Sequence, residues 1–429
     1  METNRDLHSS LLIALVVVVA ISVAFFWGFF RFGKLVEVYS PFTVFLLTSY
    51  TIIVLIYLPT RIILYTLYKP FEDRGYRPRV TVVVPAFNEG PFVEKSLNAL
   101  VRSTYPKDLM EVIAVDDGSS DDTFKYIQKM SRRYPNLIKA IRFPSNRGKR
   151  EAMAEGVKLA TGEIIVFIDS DTRIKRNAIE HLVAPFTDPK VGGVTGKVKV
   201  ENWRTNILTR MLSVRYVMSF DFYRSTSSVF GGITCLSGVI SAYRKDLLEG
   251  IIPQWKEQMF LGRKCTFGDD RSLTNHILKK DYLTVYSRKA VARTLAPENI
   301  KKLCRMLIRW NKSFLRETII LMNYILRPRI MKKRKMLLFE GVMTTVMPFL
   351  MIGLVATIYI RIFMDPAYLL TVVLSITTMA MIYMLFYVKA ERNWRFVYGI
   401  AYAFFFITIL IWLLPYAMFT INRTQWGTR

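Results

Sequence analysis

The fold is decided by the stretch IIVFIDSD, residues 164–171. Its first five residues are β-branched or aromatic, a run typical of a strand that is buried on both faces. Similar runs occupy residues 80–84 and 112–115, and helix-like stretches follow them at residues 92–102 and 123–133. Strands that alternate with helices predict an α/β domain, with a mostly parallel Rossmann-like sheet covered by helices on both faces.

Polar residues follow each predicted strand. Pro85 ends the first strand, and Asn88 and Glu89 come shortly after it; Asp116 follows the second and Asp169 the third. Asp-Gly makes turns and Asp-x-Asp occurs on many surfaces, so each motif alone says little. Ligands of such sheets bind at the carboxyl ends of the strands, and the shared placement therefore predicts one active site there.

The acidic residues suit the chemistry of nucleotide sugars. Asp169 and Asp171 are spaced to hold Mg²⁺ or Mn²⁺, which prefer oxygen ligands and neutralise a departing diphosphate. A separate carboxylate must take the proton of the attacking hydroxyl, and Asp270 beside Asp269 is the candidate. Two adjacent carboxylates can raise one pKa. The basic loop that contains Lys149 supplies cations for phosphates.

Composition excludes several protein classes. The chain has 429 residues, a net charge of +27 and 52% hydrophobic residues, with a mean hydropathy of +0.25. These values exclude a disordered, collagen-like or disulfide-scaffold protein and indicate membrane spans. The three cysteines and three histidines are scattered, which disfavours a structural zinc site and a histidine-based triad.

Four apolar stretches predict membrane-spanning helices. They cover residues 11–30, 41–60 with an extension to 68, 337–360 and 367–388. Lysines and arginines in 69–79 place the segment that follows in the cytoplasm by the positive-inside rule.

Two further segments are predicted to lie at the membrane surface. Residues 299–337 hold twelve Lys or Arg but only Glu317 as an acid, with apolar residues at helical spacing. This pattern predicts a basic amphipathic interfacial helix, and a solvated basic face is the alternative. Residues 396–421 are apolar enough for a fifth span, but basic residues on both flanks favour an interfacial or re-entrant segment that Pro415 breaks.

These patterns divide the chain into five predicted parts. They are a transmembrane hairpin (1–78), a cytosolic α/β domain inserted between membrane helices (79–298), basic interfacial helices (299–336), a second hairpin (337–388) and an interfacial or re-entrant segment with a C-terminal tail (389–429).

The motifs resemble those of a known family. The processive, inverting family 2 glycosyltransferases with a GT-A fold, which include cellulose, chitin and hyaluronan synthases, have counterparts of Asp116-Asp117-Gly118, Asp169-Ser170-Asp171, Gly268-Asp269-Asp270 and Arg309-Trp310. Within that group the sequence is most similar to hyaluronan synthases, in residues 204–210, 260–262, 268–275, 309–317 and 426–429.

The resemblance implies a role for each matching residue. The implied roles are UDP binding by Asn88, Glu89, Asp116, Lys149, Asp169, Arg309, Trp426 and Arg429, metal binding by Asp169 and Asp171, catalysis by Asp270 with Asp269 next in line, and acceptor binding by Gly238, Arg271 and Trp310. The resemblance further implies that the tail 426–429 closes the catalytic pocket as a lid.

Two positions depart from the family pattern. Met306 stands where glutamine is expected before Arg309-Trp310, and the stretch CLSGV at residues 235–239 stands where the family has Cys-Ser-Gly-Pro. Both lie near the implied acceptor pocket, so they bear on the identity of the sugar more than on the reaction.

The expected activity is the polymerisation of UDP-sugars by a multi-pass protein of the plasma membrane, with its catalytic domain in the cytoplasm. The expected product is hyaluronan, made from UDP-GlcNAc and UDP-GlcA with Mn²⁺ or Mg²⁺ and moved across the lipid bilayer as the polysaccharide grows.

Chitin or its oligosaccharides, made from UDP-GlcNAc alone, are the alternative products. Transfer of one sugar to a lipid phosphate is a third possible activity. A basic membrane protein that binds nucleic acid or anionic lipid is the non-enzymatic alternative. Nucleic acid is not expected as a partner, because much of the charge lies beside the membrane spans.

Two ionisable residues lie within or near the apolar spans. Arg61 and Glu340 would be costly in lipid, and such groups usually face a protein interior or a water-filled path. One hypothesis is that at least one of them faces the path of the polymer. The alternative is that both reach the interface with their long side chains.

Overall fold

The computed structural model of the chain describes residues 41–423, and it divides into two compact units. The helical unit comprises the residues up to Tyr68 together with Met322–Leu413, and the sheet unit comprises Lys69–Leu321 together with the residues from Leu414 onward. The five predicted parts of the chain stay predictions.

The elements of the sheet unit alternate between strands and helices. Its strands are β1 (Val80–Ala86), β2 (Met110–Asp116), β3 (Ile138–Arg142), β4 (Ile164–Ile168), β5 (Arg173–Ile174), β6 (Val191–Val200), β7 (Ile240–Arg244), β8 (Met259–Phe260), β9 (Arg263–Lys264) and β10 (Leu283–Thr294). Its α-helices are α2 (Phe92–Val101), α3 (Thr123–Arg133), α4 (Lys149–Leu159), α5 (Ala178–Val183), α6 (Ile207–Val217), α7 (Tyr223–Ser228), α8 (Lys245–Glu249), α9 (Ile252–Lys256) and α10 (Asp269–Lys279).

Long helices make up most of the rest of the described chain. They are α1 (Pro41–Leu67), α11 (Ile300–Ile325), α13 (Lys335–Met364), α14 (Tyr368–Glu391) and α15 (Phe396–Thr408), with the shorter α12 (Pro328–Lys333) and α16 (Leu413–Phe419).

Within residues 41–423, eight strands form one mixed sheet in the order β3-β2-β1-β4-β7-β6-β10-β5. Parallel pairing joins β3, β2, β1 and β4, and it also joins β6 to β10. Strand β7 runs antiparallel to both of its neighbours, β4 and β6. The predicted α/β fold with its largely parallel sheet is confirmed.

Strand β1 is longer than predicted, because Pro85 lies inside it rather than at its end. The pairing of β1 with β4 stops at Val83, whereas its pairing with β2 continues through Pro85 and Ala86. Pro85 therefore lies where the strand has one neighbour, and its missing N–H is tolerated there.

The centre of the sheet is apolar on both faces. Val82, Val83, Ile113 and Val166 are fully excluded from solvent. Each such side chain contributes about 1.5–3 kcal/mol on burial, so this run of β-branched residues stabilises the sheet that carries the site.

Three described helices are long and apolar enough to cross a membrane: α1, α13 and α14. They match three of the predicted spans, and the span predicted at residues 11–30 lies outside the described residues. Helices α15 and α16 meet at a bend of 49°, either as a broken span or as a re-entrant loop. The bend lies about one turn before Pro415, whose ring would clash with the carbonyl of Ile411 in a continuous helix.

The basic segment is broken, contrary to the single helix predicted over residues 299–337. Helix α11 ends at Ile325, and α12 begins at Pro328. Arg327 has extended backbone torsions, φ −64° and ψ 131°, because a residue before proline avoids the helical region. Glu317 is buried rather than part of a solvated face.

Arg61 and Glu340 form a buried ion pair between α1 and α13 inside the helical unit. The Arg61 side chain is 1% exposed, and its guanidinium also donates to the Tyr57 hydroxyl at 2.5 Å. The two side chains therefore face protein and not lipid headgroups. The polymer path stays a prediction.

Candidate active site

The carboxyl ends of β2 and β4 and the start of α4 bring predicted site residues together. The Lys149 ammonium donates to Asp169 Oδ1. Gly238 lies beside them, since a Cβ at this position would be 3.4 Å from Lys149 Nζ and 3.6 Å from Asp169 Oδ1. Three residues predicted from distant parts of the sequence thus share one small region.

Asp116, the last residue of β2, is 0% exposed. Its Oδ1 accepts from the Ser119 backbone N–H at 3.2 Å, and its Oδ2 lies 3.3 Å from Arg142 Nε. Among the described residues, Oδ2 has no hydrogen-bond partner. Because buried carboxylate oxygens are normally satisfied, this atom suits a donor group of a bound ligand.

Asp117 organises the loop that leads into α4. Its carboxylate accepts from the backbone N–H groups of Arg147 at 2.8 Å and Gly148 at 2.9 Å, and from the Asn146 side-chain amide at 3.0 Å. Burial raises the pKa of Asp117, although the two loop N–H groups oppose that shift. The role of Asp117 was not predicted, although the residue lies inside the Asp-Asp-Gly motif.

The same loop packs closely on the strand end. Gly118 has φ +71°, and a Cβ there would be 2.3 Å from the Ser145 carbonyl carbon. Only glycine fits at this turn. The close packing at Gly118 therefore keeps the loop near the end of β2, where the N–H groups of Arg147 and Gly148 reach the Asp117 carboxylate.

Asp171 follows Asp169 by two residues, and its Oδ1 accepts from the Thr294 hydroxyl at 3.3 Å. In the described part of the chain, no group of three or more His, Cys, Asp or Glu residues could hold a metal ion. Mg²⁺ is usually bound through one or two carboxylates plus substrate phosphates. The donor set of Asp169 and Asp171 fits that mode and not a cage made by protein alone.

Asp269 and Asp270 open helix α10, and their carboxylates have different partners. Asp269 is buried and accepts from Arg150 Nε at 2.7 Å. Asp270 is half-buried, and the Cys235 thiol lies 3.5 Å from its Oδ2. Burial, reinforced by the Asp270 carboxylate, raises the pKa of Cys235 to about 11, so the thiol stays protonated and donates. The predicted effect of the two carboxylates on each other stays a prediction.

The residues predicted to bind the donor and to catalyse the transfer share one electrostatic environment. Burial by itself would lower the pKa of Lys149, but the carboxylates of Asp169, Asp269 and Asp270 outweigh it and raise the pKa. The ammonium therefore stays charged among these acids, as a phosphate-binding group requires.

The predicted acceptor residues lie at and near the contact of α10 with α11. The Arg271 guanidinium lies over the ring of Phe314, 5.2 Å from its centroid. The Trp310 ring is contacted by Arg215 at 5.6 Å, and Arg309 precedes it on α11.

Asn88 and Glu89 lie just beyond β1, beside the loop after β2. Asn88 Oδ1 accepts from the Ser120 N–H at 2.9 Å, and the Glu89 N–H donates to the Thr123 hydroxyl. Trp426 and Arg429 lie outside the described residues.

Comparison with known proteins places this site in a family. Residues 81–252 match the model of glycosyl transferase family 2. A hyaluronan synthase from Streptococcus pyogenes is 31% identical over 385 residues, which cover 89% of this chain and 90% of that protein. The chain belongs to the hyaluronan synthase family. An N-acetylglucosaminyltransferase from Azorhizobium caulinodans is 28% identical and covers 82% of this chain and 87% of that protein.

The fold of this family member is also found among solved structures. A mannosyltransferase from Pyrobaculum calidifontis, in complex with GDP-Man and Mn²⁺, matches with a TM-score of 0.64 and 21% identity, and the match covers 89% of this chain and 98% of that one. The predicted GT-A fold and family resemblance are confirmed. The chain is a processive family 2 glycosyltransferase, and with its three candidate spans it is a membrane protein.

Two residues of this glycosyltransferase make contacts that were not predicted. Arg150 follows Lys149 directly, and Gln258 lies between α9 and β8. Arg150 ends the basic loop that was predicted to supply cations for phosphates, whereas Gln258 belongs to no predicted motif. Their contacts join residues more than a hundred positions apart, which no local pattern shows.

Proposed function

We propose that the chain polymerises UDP-GlcNAc and UDP-GlcA into hyaluronan by inverting transfer, at the cytoplasmic face of the plasma membrane. The protein would be multi-pass and would move the growing polysaccharide across the bilayer. The observation that carries this proposal is the likeness to a hyaluronan synthase over nine-tenths of both chains. The N-acetylglucosaminyltransferase relative supports a chitin-like product less well, at lower identity and coverage.

The donor nucleotide would bind at the carboxyl ends of β1 and β2. The buried, unsatisfied Oδ2 of Asp116 would accept a hydrogen bond from the uridine. Asn88 and Glu89 flank this position on the neighbouring strand. Lys149 would bind the diphosphate through its ammonium, and the ordered loop held by Asp117 would present it.

A divalent cation, Mn²⁺ or Mg²⁺, would be held by Asp169 and Asp171. When bound, it would neutralise charge on the diphosphate as the sugar–phosphate bond breaks. The contact of Lys149 with Asp169 supports this arrangement, since it places the phosphate-binding ammonium beside one of the two metal-binding carboxylates.

Asp270 would act as the general base on the acceptor hydroxyl. Its half-buried carboxylate faces Cys235, whereas Asp269 is engaged by Arg150 and so is a poor base. Trp310 would stack on the acceptor sugar beside Arg271. Gly238 would leave room for that sugar, because any side chain there would approach Lys149 and Asp169.

The tail 424–429, with Trp426 and Arg429, would close over the diphosphate beside Arg309. The residues just before it support this role. Arg263 donates to the carbonyl of Asn422 at 2.9 Å, and Lys312 donates to the carbonyl of Arg423 at 3.1 Å. Lys312 lies two residues after Trp310, so Arg423 contacts the helix that carries a proposed acceptor residue.

The test is incorporation of sugar by the purified protein with each UDP-sugar alone and with both together. A polymer that needs both donors and is degraded by hyaluronidase supports the proposal. A polymer made from UDP-GlcNAc alone supports the chitin-like alternative. If neither donor is turned over, a filter-binding assay with RNA and anionic vesicles across a salt titration tests the non-enzymatic alternative.

A further inference from the structure

A chain of hydrogen-bonded polar side chains, all buried except the half-buried Gln258, connects the start of α4 with α10 and α11. Its members are Arg150, Asp269, Gln258 and Glu317. All of them belong to the sheet unit. Networks of this kind limit the movement of their members, because breaking a hydrogen bond in a low-dielectric interior is costly. Arg150 Nη2 has no hydrogen-bond partner among the described residues, so the Nε and Nη1 contacts of Arg150 hold its position.

The first contact in this chain joins the residue next to the proposed diphosphate-binding lysine to the residue next to the proposed base. Arg150 and Asp269 form an ion pair at 2.7 Å, and their side chains are only 7% and 8% exposed. Arg150 follows Lys149 in the sequence, and Asp269 precedes Asp270. The pair therefore ties the backbone beside the diphosphate-binding lysine to the backbone beside the proposed base.

Trp255 fixes the orientation of the Arg150 side chain. Its carbonyl accepts from Arg150 Nη1 at 2.6 Å, and its indole N–H donates to the Asp269 carbonyl at 3.2 Å. The guanidinium also lies over the indole ring, 5.0 Å from its centroid. These contacts allow the planar guanidinium of Arg150 only one orientation. The ammonium group of a lysine could not make the same set of contacts.

Gln258 extends the chain to α11. Its side-chain oxygen accepts from Arg150 Nη1 at 3.2 Å, and its amide donates to Glu317 Oε1 at 3.0 Å. Glu317 Oε2 accepts from the Asn275 amide of α10 at 3.0 Å. Glu317 is 1% exposed and lies two turns after Trp310, so both residues are on the same face of the helix.

The two helices also meet without a gap at Gly268, which caps α10 with φ +78°. A Cβ at this position would be 2.1 Å from Ser313 Oγ and 2.8 Å from Arg316 Nη2. The start of α10 is thus set directly against α11. A shift of either helix would move Asp270 relative to Trp310.

We propose that Arg150 and Glu317 are positioning residues for glycosyl transfer. They hold Lys149, Asp270 and Trp310 at the separations that transfer to a sugar hydroxyl needs. The inference rests on the proposed roles of these three residues. Neither Arg150 nor Glu317 needs to contact substrate.

The experiment compares Arg150→Met, Arg150→Lys and Glu317→Gln with wild type in the full-length, detergent-solubilised enzyme. Lys158→Met is the matched control, since Lys158 is an exposed cation on the same helix as Arg150. Four quantities are measured: kcat for sugar incorporation, KM for each UDP-sugar, melting temperature, and the ratio of UDP released to sugar incorporated.

We expect Arg150→Met to lower kcat by about 10–100-fold, since small misplacements of reacting groups have effects of this size. The KM values should change by less than about threefold, because Lys149 and the donor pocket remain. The ratio of UDP released to sugar incorporated should rise, because water needs no positioned acceptor. Arg150→Lys and Glu317→Gln should show the same pattern more weakly, and Lys158→Met should behave like wild type.

A lowered melting temperature with wild-type kcat and ratio would show a merely structural role and overturn the inference. If Arg150→Met does not fold, the same criterion applies to Arg150→Lys and Glu317→Gln. A wild type that makes no polymer from any UDP-sugar would overturn the proposed function itself. That result is distinct, because it appears before any variant is compared.

Discussion

Two of the three Asp-Asp pairs in the chain, Asp116-Asp117 and Asp269-Asp270, each place their two carboxylates in different surroundings. In Asp116-Asp117, the second carboxylate is saturated by the loop 146–148, and the first keeps an unsatisfied oxygen. In Asp269-Asp270, the first carboxylate is held by Arg150, and the second stays half-buried beside a neutral thiol. In each pair, one carboxylate is held by protein donors that the other does not contact. We propose that this carboxylate orders the site and that its neighbour is left for the ligand.

The carboxylates of Asp117 and Asp269 both hold residues next to Lys149. Asp117 holds the residues just before Lys149, and Asp269 holds the residue just after it. Lys149 is therefore bracketed by two buried anchors from opposite sides of the site. A lysine side chain is flexible, so fixing the backbone on both sides is what gives its ammonium a defined position.

The spaced pair Asp169 and Asp171 should behave differently from both adjacent pairs, because we propose that both of its members bind the metal. Asp171→Asn should lower sugar incorporation by at least about 100-fold, and EDTA should do the same to wild type. Added Mn²⁺ or Mg²⁺ should restore the wild type but not the variant. Full activity of wild type in EDTA would contradict the metal site.

Asp270→Asn tests the ligand-facing member of the second pair. It keeps the shape and removes the proton acceptor, so incorporation should fall by about 10²–10⁴-fold while UDP still binds. Incorporation kinetics and a UDP-binding titration measure the two effects separately. A loss below about tenfold would move the base to another residue and break the proposed division.

The first pair allows a crossed comparison of Asp116→Asn with Asp117→Asn. Asp116→Asn should weaken UDP binding by about 10–100-fold with little change in melting temperature, since it removes a charged acceptor for the ligand. Asp117→Asn should lower the melting temperature by about 2–10 °C, because an amide cannot accept both loop N–H bonds. Equal effects of the two variants on both measurements would mean that the pair is not divided.

The smallest expected effect concerns the helix that carries the second pair. Burial, together with the positive charges of Lys279 and Arg150, lowers the pKa of His276 to about 4 from its ordinary value of 6.5. Between these values the unfolded chain binds a proton that the folded chain does not, so stability falls as the pH drops through this window. The melting temperature of His276→Gln should therefore fall less than that of wild type when the pH is lowered from about 7 to about 5. Parallel curves for the two proteins would contradict this.

The sheet was predictable because its signal is local. The strand at residues 164–168 and the helix at residues 123–133 have the predicted bounds, since buried strands and amphipathic helices each show their period in the sequence. The broken basic segment was missed although Pro328 is visible, because a continuous run of charge was given more weight than one proline.

The site was predictable only in part. Residues at strand ends were found, since topology places them at one edge. The partners of Asp117 and Asp269 were not predicted, because those contacts join residues about 30 and 119 positions apart and leave no local pattern.

The buried position of Glu317, in contrast, is indicated by the sequence around it. A lone acid among twelve basic residues suggests a buried partner, and the structure supplies three donors for it.

The ion pair of Arg61 with Glu340 has a consequence for biogenesis. The two residues are 279 positions apart, and synthesis proceeds at roughly 5–20 residues per second. The helix that carries Arg61 therefore leaves the ribosome tens of seconds before its counter-charge exists. During that time Arg61, near the C-terminal end of α1, has Tyr57, one turn earlier, as a polar partner that lowers the cost of its charge in lipid. Insertion of the first helices and completion of the last ones are thus coupled events, and the membrane unit is finished only when its C-terminal half arrives.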